Sequence, residues 1–372
     1  MVILGIWTIK GGKLWNGTSF EDNAEIIRVL PGEADRALCL ESEDLILPGV
    51  IDSHVHLWSP ASVSRFGVDA ERLYAQGVVG VVEAGSFGCR NWPSAGRYWT
   101  NSAKNTVKSF MHVIPEGFAV FPPNNLTRPE DIDADEVIAA IRADVTGTLL
   151  GLKVHLGFLY YKSEETDRGQ LQKARCVADE TGKRLLVHIS GSMLDIEEVL
   201  SYLKPGDIVT HMYTGFEKNI FSSGRLSEAM LEAKERGIVM DVAHAAKHFS
   251  WNVFRMAYSQ GLTFDTISSD LTAFSFWQPE TNTLFDFYHL LSAFLAAGID
   301  RDEVFRAATT VPSQIYDIPL NIEEKVLILK NTESVLPLSD GVGETLVLPL
   351  EYRPFCFIDC GKIILYPEYT GG

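Results

Sequence analysis

The sequence predicts an α/β protein: a (β/α)8 TIM barrel with a small β-sandwich built from both chain termini. Three observations support this fold class. Short aliphatic strands alternate with amphipathic helices through the middle of the chain, polar residues follow several of these strands, and further apolar stretches lie near both ends. Strands that alternate with helices form parallel sheets, and eight such units favour a closed barrel.

Eight strands are predicted in the middle of the chain. They lie near residues 48–56, 79–84, 107–114, 149–154, 184–188, 207–211, 237–241 and 264–269. An open doubly wound sheet would collect its functional residues at one switch point. Here reactive side chains follow the first, fourth, fifth, sixth and eighth strands, which converge only around a closed ring. A barrel over residues 47–319 is therefore preferred.

The two ends of the chain have a different pattern. Residues 1–46 and 320–372 contain short apolar stretches separated by turn signals, such as Lys10-Gly11-Gly12-Lys13. We predict that these two segments together form the β-sandwich domain beside the barrel.

The first predicted barrel strand ends in a His-x-His motif. Within a strand His54 and His56 share one face, because side chains alternate with a period of two, and two neutral imidazoles suit a cation such as Zn²⁺. Paired histidines alone could be ordinary polar residues at a sheet edge. Further candidate ligands follow other buried strands, and these are Lys153, His188, His211 and Asp270. Buried Lys and Asp are rare unless they are paired or bind a metal, so a shared metal site explains them better.

Composition narrows the partners of the protein. Among 372 residues, 46% are hydrophobic, 22% are charged, and the formal net charge is −17. Nucleic acids and anionic membranes need a basic surface, so a small-molecule substrate is expected instead, and a homo-oligomer is left open. The five cysteines include no CxxC pair, and the N-terminus lacks a basic region with a cleavage site. We therefore expect a cytoplasmic protein with reduced thiols.

Several motifs together resemble the amidohydrolase superfamily. The matching pieces are PGVIDSHVH (48–56), GLKVH (151–155), VHISG (187–191), THMYTG (210–215) and SSDL (268–271). Two longer stretches resemble its dihydroorotase-like deacetylase branch, and these are GVDAERLYAQGVVGVVEAGSFG (67–88) and MDVAHAAKHFSW (240–251).

The resemblance implies two divalent metal ions and six protein ligands. The two histidines of the first strand would hold the more buried ion, and His188 and His211 would hold the second. Lys153, carboxylated on Nζ, would bridge both ions, and Asp270 would bind the first ion and act as the proton shuttle. Zn²⁺ is the predicted metal, although such sites also accept Mn, Fe, Co or Ni.

Physical chemistry is consistent with these implied roles. A buried lysine has a lowered pKa, and its free amine can capture CO₂ to form an anionic carbamate. Two cations make hydroxide available near neutral pH, and a neighbouring carboxylate can move its proton. Glu83 replaces the aspartate more usual in this branch, and His155 shares a face with Lys153. Whether either residue joins the metal site stays open, with a packing or supporting role preferred for His155.

We predict a binuclear metal-dependent hydrolase that cleaves an amide or ester bond of a small acylated acid. A metal-bridged hydroxide would attack, with Asp270 as the proton shuttle. The alternatives are a cyclic amide hydrolase of the dihydroorotase or hydantoinase type, a mononuclear deaminase, which would not need Lys153, and a non-catalytic barrel.

The carboxylate of this substrate is predicted to bind Arg90 and Arg97. Both lie in residues 88–99, which we interpret as a loop, and the planar fork of arginine can bind two carboxylate oxygens. For either arginine alone, a solvated loop charge is the simpler interpretation. His244 would face the substrate from the opposite wall.

Overall fold

The computed structural model describes residues 4–62, 66–117, 128–158, 162–222, 224–245, 247–273, 286–334 and 337–367. Its strands are β1 (Leu4–Trp15), β2 (Phe20–Asp22), β3 (Glu25–Pro31), β4 (Arg36–Leu47), β5 (Val50–Val55), β6 (Val78–Gly88), β7 (Thr106–His112), β8 (Leu149–His155), β9 (Arg184–His188), β10 (Ile208–Thr210), β11 (Phe221–Ser222), β12 (Arg225–Leu226), β13 (Val239–Asp241), β14 (Lys325–Glu333), β15 (Pro337–Ser339), β16 (Thr345–Val347), β17 (Leu350–Asp359) and β18 (Lys362–Leu365). Its helices are α1 (Ala70–Ala75), α2 (Trp92–Ser102), α3 (Ala134–Arg142), α4 (Glu164–Thr181), α5 (Ile196–Ser201), α6 (Glu228–Glu235), α7 (Trp251–Ser259), α8 (Phe287–Ala296), α9 (Arg301–Arg306) and α10 (Thr310–Tyr316), with a 3₁₀ turn at Pro129–Asp131.

Seven strands in the middle of the chain form one parallel sheet, in the order β5-β6-β7-β8-β9-β10-β13. Its strands are largely buried because helices pack on one face of the sheet and side chains from other strands meet on the inner face. Every residue of β5 and of β6 is buried. The carboxyl ends of all these strands therefore meet at one end of the sheet, where the predicted ligands lie.

The eighth predicted strand, 264–269, does not form regular strand structure. Residues 264–271 nevertheless connect the two edges of the parallel sheet, through a bridge from Thr266 to Asp241 and another from Leu271 to Val55. Asp270, inside this segment, has a left-handed backbone with φ of 54°, which a β-strand cannot contain. The ring is thus completed by an irregular segment.

The helices begin at residues whose side chains cap the free backbone N–H groups. Ser163 accepts a hydrogen bond from the Thr166 N–H at the start of α4, and Ser250 accepts one from Val253 at the start of α7. Within the described residues, no helix combines the length and the apolar character that crossing a membrane requires.

The terminal strands form a single mixed sheet, in the order β18-β17-β14-β4-β1-β2, with β3 paired to the same strand β1. The predicted β-sandwich is not confirmed, because C-terminal strand β14 adds directly beside N-terminal strand β4, with Ile328 opposite Ile46. The apolar run of β14 is buried on both faces. Val326 and Ile328 pack in a core of the terminal sheet, and Leu327 and Leu329 pack in the main core.

Candidate metal centre

Four predicted ligand histidines lie in a row at the carboxyl ends of β5, β9 and β10. The ring centroids of His56 and His54 are 5.8 Å apart, those of His54 and His211 are 5.1 Å apart, and those of His211 and His188 are 4.1 Å apart. All four rings are buried. His56 and His188, which are 132 positions apart in the chain (188 − 56), are thus brought together by the order of the parallel strands, as the spacing of their motifs predicts.

His54 is oriented by Asp241, a residue that sequence reasoning missed. Its Nδ1 lies 3.2 Å from Asp241 Oδ2, and the same carboxylate accepts hydrogen bonds from the hydroxyls of Thr210, Thr266 and Ser268. A carboxylate partner keeps the imidazole proton on Nδ1 and leaves the lone pair on Nε2. That Nε2 lies 3.2 Å from Lys153 Nζ.

His56 is held on its Nδ1 side by a serine at the end of β6. Ser86 Oγ lies 2.8 Å from His56 Nδ1. Glu83 in turn accepts hydrogen bonds from the Gly85 and Ser86 N–H groups, at 3.1 and 2.9 Å. Glu83 therefore shapes the turn that carries Ser86, and its carboxylate lies 3.8 Å from His56 Nδ1.

Asp270 closes this side of the cluster. Its Oδ1 is 3.0 Å from His56 Nε2 and 3.6 Å from His54 Nε2, and its Oδ2 is 3.9 Å from His211 Nε2. Burial by itself raises the pKa of Asp270, but the adjoining His56, His54 and His211 outweigh burial and hold this pKa well below its usual value. Asp270 is accordingly a carboxylate at neutral pH.

Lys153 is buried among these groups on β8. Burial lowers the pKa of its amine to about 8, although the acidic groups of the site oppose this change. Gly85 of β6, which lies on the far side of β7 from β8, makes room for it, because a Cβ at that position would overlap the Lys153 side chain. An amine with a lowered pKa is the form that reacts with CO₂.

His188 and His211 each use one ring nitrogen to bind a backbone carbonyl. His211 Nδ1 lies 2.7 Å from the Ala243 oxygen, and His188 Nε2 lies 2.9 Å from the Ser190 oxygen. Each carbonyl accepts a hydrogen bond from the ring N–H, so Nε2 of His211 and Nδ1 of His188 carry the lone pairs. The tautomers needed for cation binding are thus set by the surrounding backbone.

The donor set fits a divalent cation. One nitrogen each of His54 and His56 and one oxygen of Asp270 all lie within 4.8 Å of one another. Asp270 Oδ1 is buried and, among the described residues, makes no hydrogen bond of good geometry. Lone pairs that converge in this way repel each other unless a cation lies between them.

Two further histidines border this cluster. The His155 ring centroid is 3.7 Å from that of His188, and its other side stacks on Phe158 at 4.9 Å. His248 lies 4.8 Å from both His188 and His211, and its Nδ1 is 2.8 Å from Ser190 Oγ. Burial lowers the pKa of His248 to about 4. The sequence signal for His248 was its place in the motif 240–251, and the signal for Asp241 was its position at the end of the seventh strand.

The three predicted substrate contacts lie elsewhere. Residues 88–99 are not a loop, because α2 begins at Trp92. Arg90 is exposed and paired with Glu116 and Glu136, and Arg97 is exposed on α2. His244 is fully buried and stacks on Phe249 at 4.4 Å, and burial lowers its pKa to about 3. Their role as substrate contacts stays a prediction.

Known proteins of similar sequence are named deacetylases. The deacetylase of Brucella anthropi is 28% identical over 288 residues, which cover 76% of this chain and 68% of that protein. The deacetylase of Enterococcus faecalis is 23% identical over 374 residues, which cover 95% of this chain and 98% of that protein. No family model matches the chain.

Solved structures share the fold over nearly the whole chain. A dihydroorotase has a TM-score of 0.79 at 22% identity and covers 98% of each chain. An adenine deaminase has a TM-score of 0.78 at 21% identity and covers 96% of this chain and 98% of its own. At these identities the likeness concerns the fold and does not distinguish between their reactions.

Proposed function

With the resemblance to the amidohydrolase superfamily confirmed by these relatives, we propose that the chain is a binuclear metal-dependent hydrolase that cleaves the amide or ester bond of a small acylated acid. His54, His56 and Asp270 would hold one ion, and His188 and His211 the other, with carboxylated Lys153 shared between them. When bound, the ions supply Lewis acidity that makes hydroxide available near neutral pH and polarises the acyl carbonyl. The name deacetylase carried by the relatives supports an acyl group as small as acetyl.

The protein residues hold the ligands and move the proton. Asp241 and Ser86 fix the rings of His54 and His56 from behind, so that both histidines act as neutral ligands. Asp270 is ionised at neutral pH, and its Oδ1 can accept the proton of the attacking water. The same oxygen then gives that proton to the leaving amine or alcohol, as a general base that becomes a general acid.

One observation carries the proposal more than any other. A buried lysine with a lowered pKa, Lys153, has its Nζ 3.2 Å from His54 Nε2. Packing alone does not explain an amine at this position, since burying a lone ammonium ion costs roughly several kcal/mol. A carbamate on this nitrogen would supply the anionic oxygens that two cations need.

The test is the metal content and activity of Lys153→Ala. We expect the variant to fold, to hold fewer ions than the wild type's expected pair, and to lose most activity toward N-acetyl and O-acetyl acids. Propionate should partly restore activity, because its carboxylate stands in for the carbamate. Lys204→Ala is the control, since Lys204 is exposed and pairs with Asp179 on the surface.

Two results would contradict the proposal. One is full activity in Lys153→Ala, and the other is a wild-type protein that binds a single ion when metal is in excess. A preference for cyclic amides over open-chain amides and esters would replace the deacetylase-like assignment with a cyclic amide hydrolase.

A further inference from the structure

His248 lies beside the second pair of predicted ligand histidines, His188 and His211. It belongs to the loop between β13 and α7, after the exposed Lys247 and before the buried Phe249. Its ring centroid is 4.8 Å from those of both His188 and His211. The side chain is half-buried, so it borders both the buried histidines and solvent.

The ring of His248 is held in place by the Ser190 hydroxyl, which in turn contacts the Thr214 hydroxyl. Ser190 Oγ lies 2.8 Å from His248 Nδ1 and 2.8 Å from Thr214 Oγ1. Thr214 Oγ1 also accepts a hydrogen bond from the Phe216 N–H at 3.3 Å. Ser190 follows His188 by two residues, and Thr214 follows His211 by three. The loops after the fifth, sixth and seventh barrel strands are therefore tied together at His248.

The direction of this hydrogen-bond chain follows from its buried end. Thr214 is fully buried, and among the described residues its hydroxyl hydrogen has only Ser190 Oγ as an acceptor. A buried hydroxyl hydrogen left without an acceptor is unfavourable, because it has lost its hydrogen bond to water. Thr214 therefore donates to Ser190, and Ser190 donates to His248 Nδ1. The proton of the neutral His248 ring is then on Nε2, which within the described part of the chain makes no hydrogen bond.

We propose that His248 is a substrate-contacting residue whose Nε2–H donates a hydrogen bond to the acyl carbonyl oxygen and to the negative charge that develops there. This inference rests on the proposed function. His188 and His211 would hold the second ion, so the bond under attack would lie next to them, and His248 touches both rings. A fixed donor directed at developing charge is worth more in the transition state than in the ground state.

The test compares two substitutions of His248. His248→Phe keeps an aromatic ring against His188 and His211 and removes the donor, whereas His248→Gln keeps an N–H near the position of Nε2. For His248→Phe we expect kcat toward an acetyl ester to fall by about 10²–10³-fold, the usual loss for one oxyanion donor, with a smaller change in KM. His248→Gln should recover part of this loss.

Binding of a tetrahedral analogue gives a readout that does not depend on turnover. An alkyl methylphosphonate resembles the tetrahedral species, and its affinity can be measured by calorimetry on the metal-loaded protein. We expect His248→Phe to weaken it by a factor similar to the loss in kcat/KM, while affinity for acetate changes little. Metal content should equal that of the wild type. Lys247→Ala, in the same loop, should leave all these values unchanged.

The outcomes separate this inference from the function on which it rests. Wild-type kcat/KM and phosphonate affinity in His248→Phe would overturn it, and so would loss of bound metal, which would give His248 a role in the metal site alone. If the wild type binds the phosphonate but hydrolyses no acyl substrate, the proposed function fails and the phosphonate affinity of His248→Phe still decides the contact. If the wild type does not bind the phosphonate, both proposals fall.

Discussion

Asp270 combines an unusual backbone conformation with the chemistry assigned to it. Its φ of 54° lies in the left-handed region, where Asp and Asn are tolerated far better than other side chains apart from glycine. Its N–H donates to the His54 carbonyl at 2.7 Å, which ties the segment to the first barrel strand. A substitution at this position must keep the backbone conformation if it is to report on chemistry.

Asp270→Asn satisfies that requirement and removes the charge. We expect a folded protein whose kcat falls by about 10²–10⁴-fold, the range for a lost general acid–base group. Asp265→Asn is a matched control in the same segment, because its side-chain oxygen can still accept the hydrogen bond from the Met240 N–H. Steady-state kinetics and metal analysis of both variants test the assignment, and wild-type kcat in a metal-loaded Asp270→Asn would refute it.

The parallel strands were predictable because each carries its own signal. Continuous aliphatic runs identify strands buried on both faces, and a His, Lys or Asp directly after such a run is conspicuous. The metal-ligand set read from these strand ends stays a prediction, although the structure brings its histidines, Lys153 and Asp270 into one cluster. Asp241 had the same signal at the end of β13.

The elements that were not predicted depend on long-range contacts. Residues 264–271 have a strand-like sequence, yet the backbone turns at Asp270 to meet His54. The edge-to-edge addition of β14 to β4 likewise cannot be predicted from the local sequence, since an apolar strand suits one sheet as well as two facing sheets. Arg90 was expected to face a substrate. It instead pairs with Glu136 of α3, which lies 46 positions further along the chain.

The close contact between Gly85 of β6 and Lys153 of β8 predicts how a larger residue at position 85 would affect stability. Gly85 has φ of 90°, and a Cβ there would overlap the Lys153 side chain. Gly85→Ala should therefore cost about 1–3 kcal/mol of overpacking beyond the cost of a left-handed alanine, and it should lower metal content.

Gly298→Ala supplies the matched reference for that measurement. Gly298 also has φ of 90°, but a Cβ there would meet no atom within 4 Å. Urea denaturation of both variants separates the conformational cost, about 1–2 kcal/mol, from the overlap with Lys153. Equal losses in the two variants would show that β6 and β8 can separate to accommodate the added methyl group.

One charged cluster joins the terminal sheet to α8. Arg353 of β17 binds Glu351 Oε2 through Nε and Nη2, at 3.1 and 2.7 Å, and Asp286 through Nη1. Asp286 caps α8 by accepting from the His289 N–H, and His289 Nδ1 lies 3.1 Å from Glu351 Oε1. Glu351 is only 3% exposed, so the cluster couples the stability of both parts.

This cluster predicts a pH dependence of stability with a defined sign. Burial raises the pKa of Glu351, but His289 and Arg353 outweigh burial and lower it overall. A carboxyl group with a lowered native pKa stabilises the fold fully above its unfolded pKa of about 4.3. That stabilisation is lost as the pH falls through the native value. The free energy of unfolding should therefore drop between about pH 5 and pH 3, partly through Glu351.

Arg353→Met tests the origin of that drop. At neutral pH we expect the free energy of unfolding to fall by about 2–4 kcal/mol. This is below the full cost of breaking a buried ion pair, because Arg353 is 28% exposed. Without Arg353 the native pKa of Glu351 rises toward its unfolded value, so the decline of stability from pH 5 to pH 3 should become shallower. Acidic groups that do not contact Arg353 titrate in both proteins and cancel when the two urea-denaturation series are subtracted. Arg142→Met, which removes only an exposed pair with Glu180, should keep the wild-type slope. A slope in Arg353→Met as steep as in the wild type would mean that the terminal sheet and α8 are held together without the charge on Glu351.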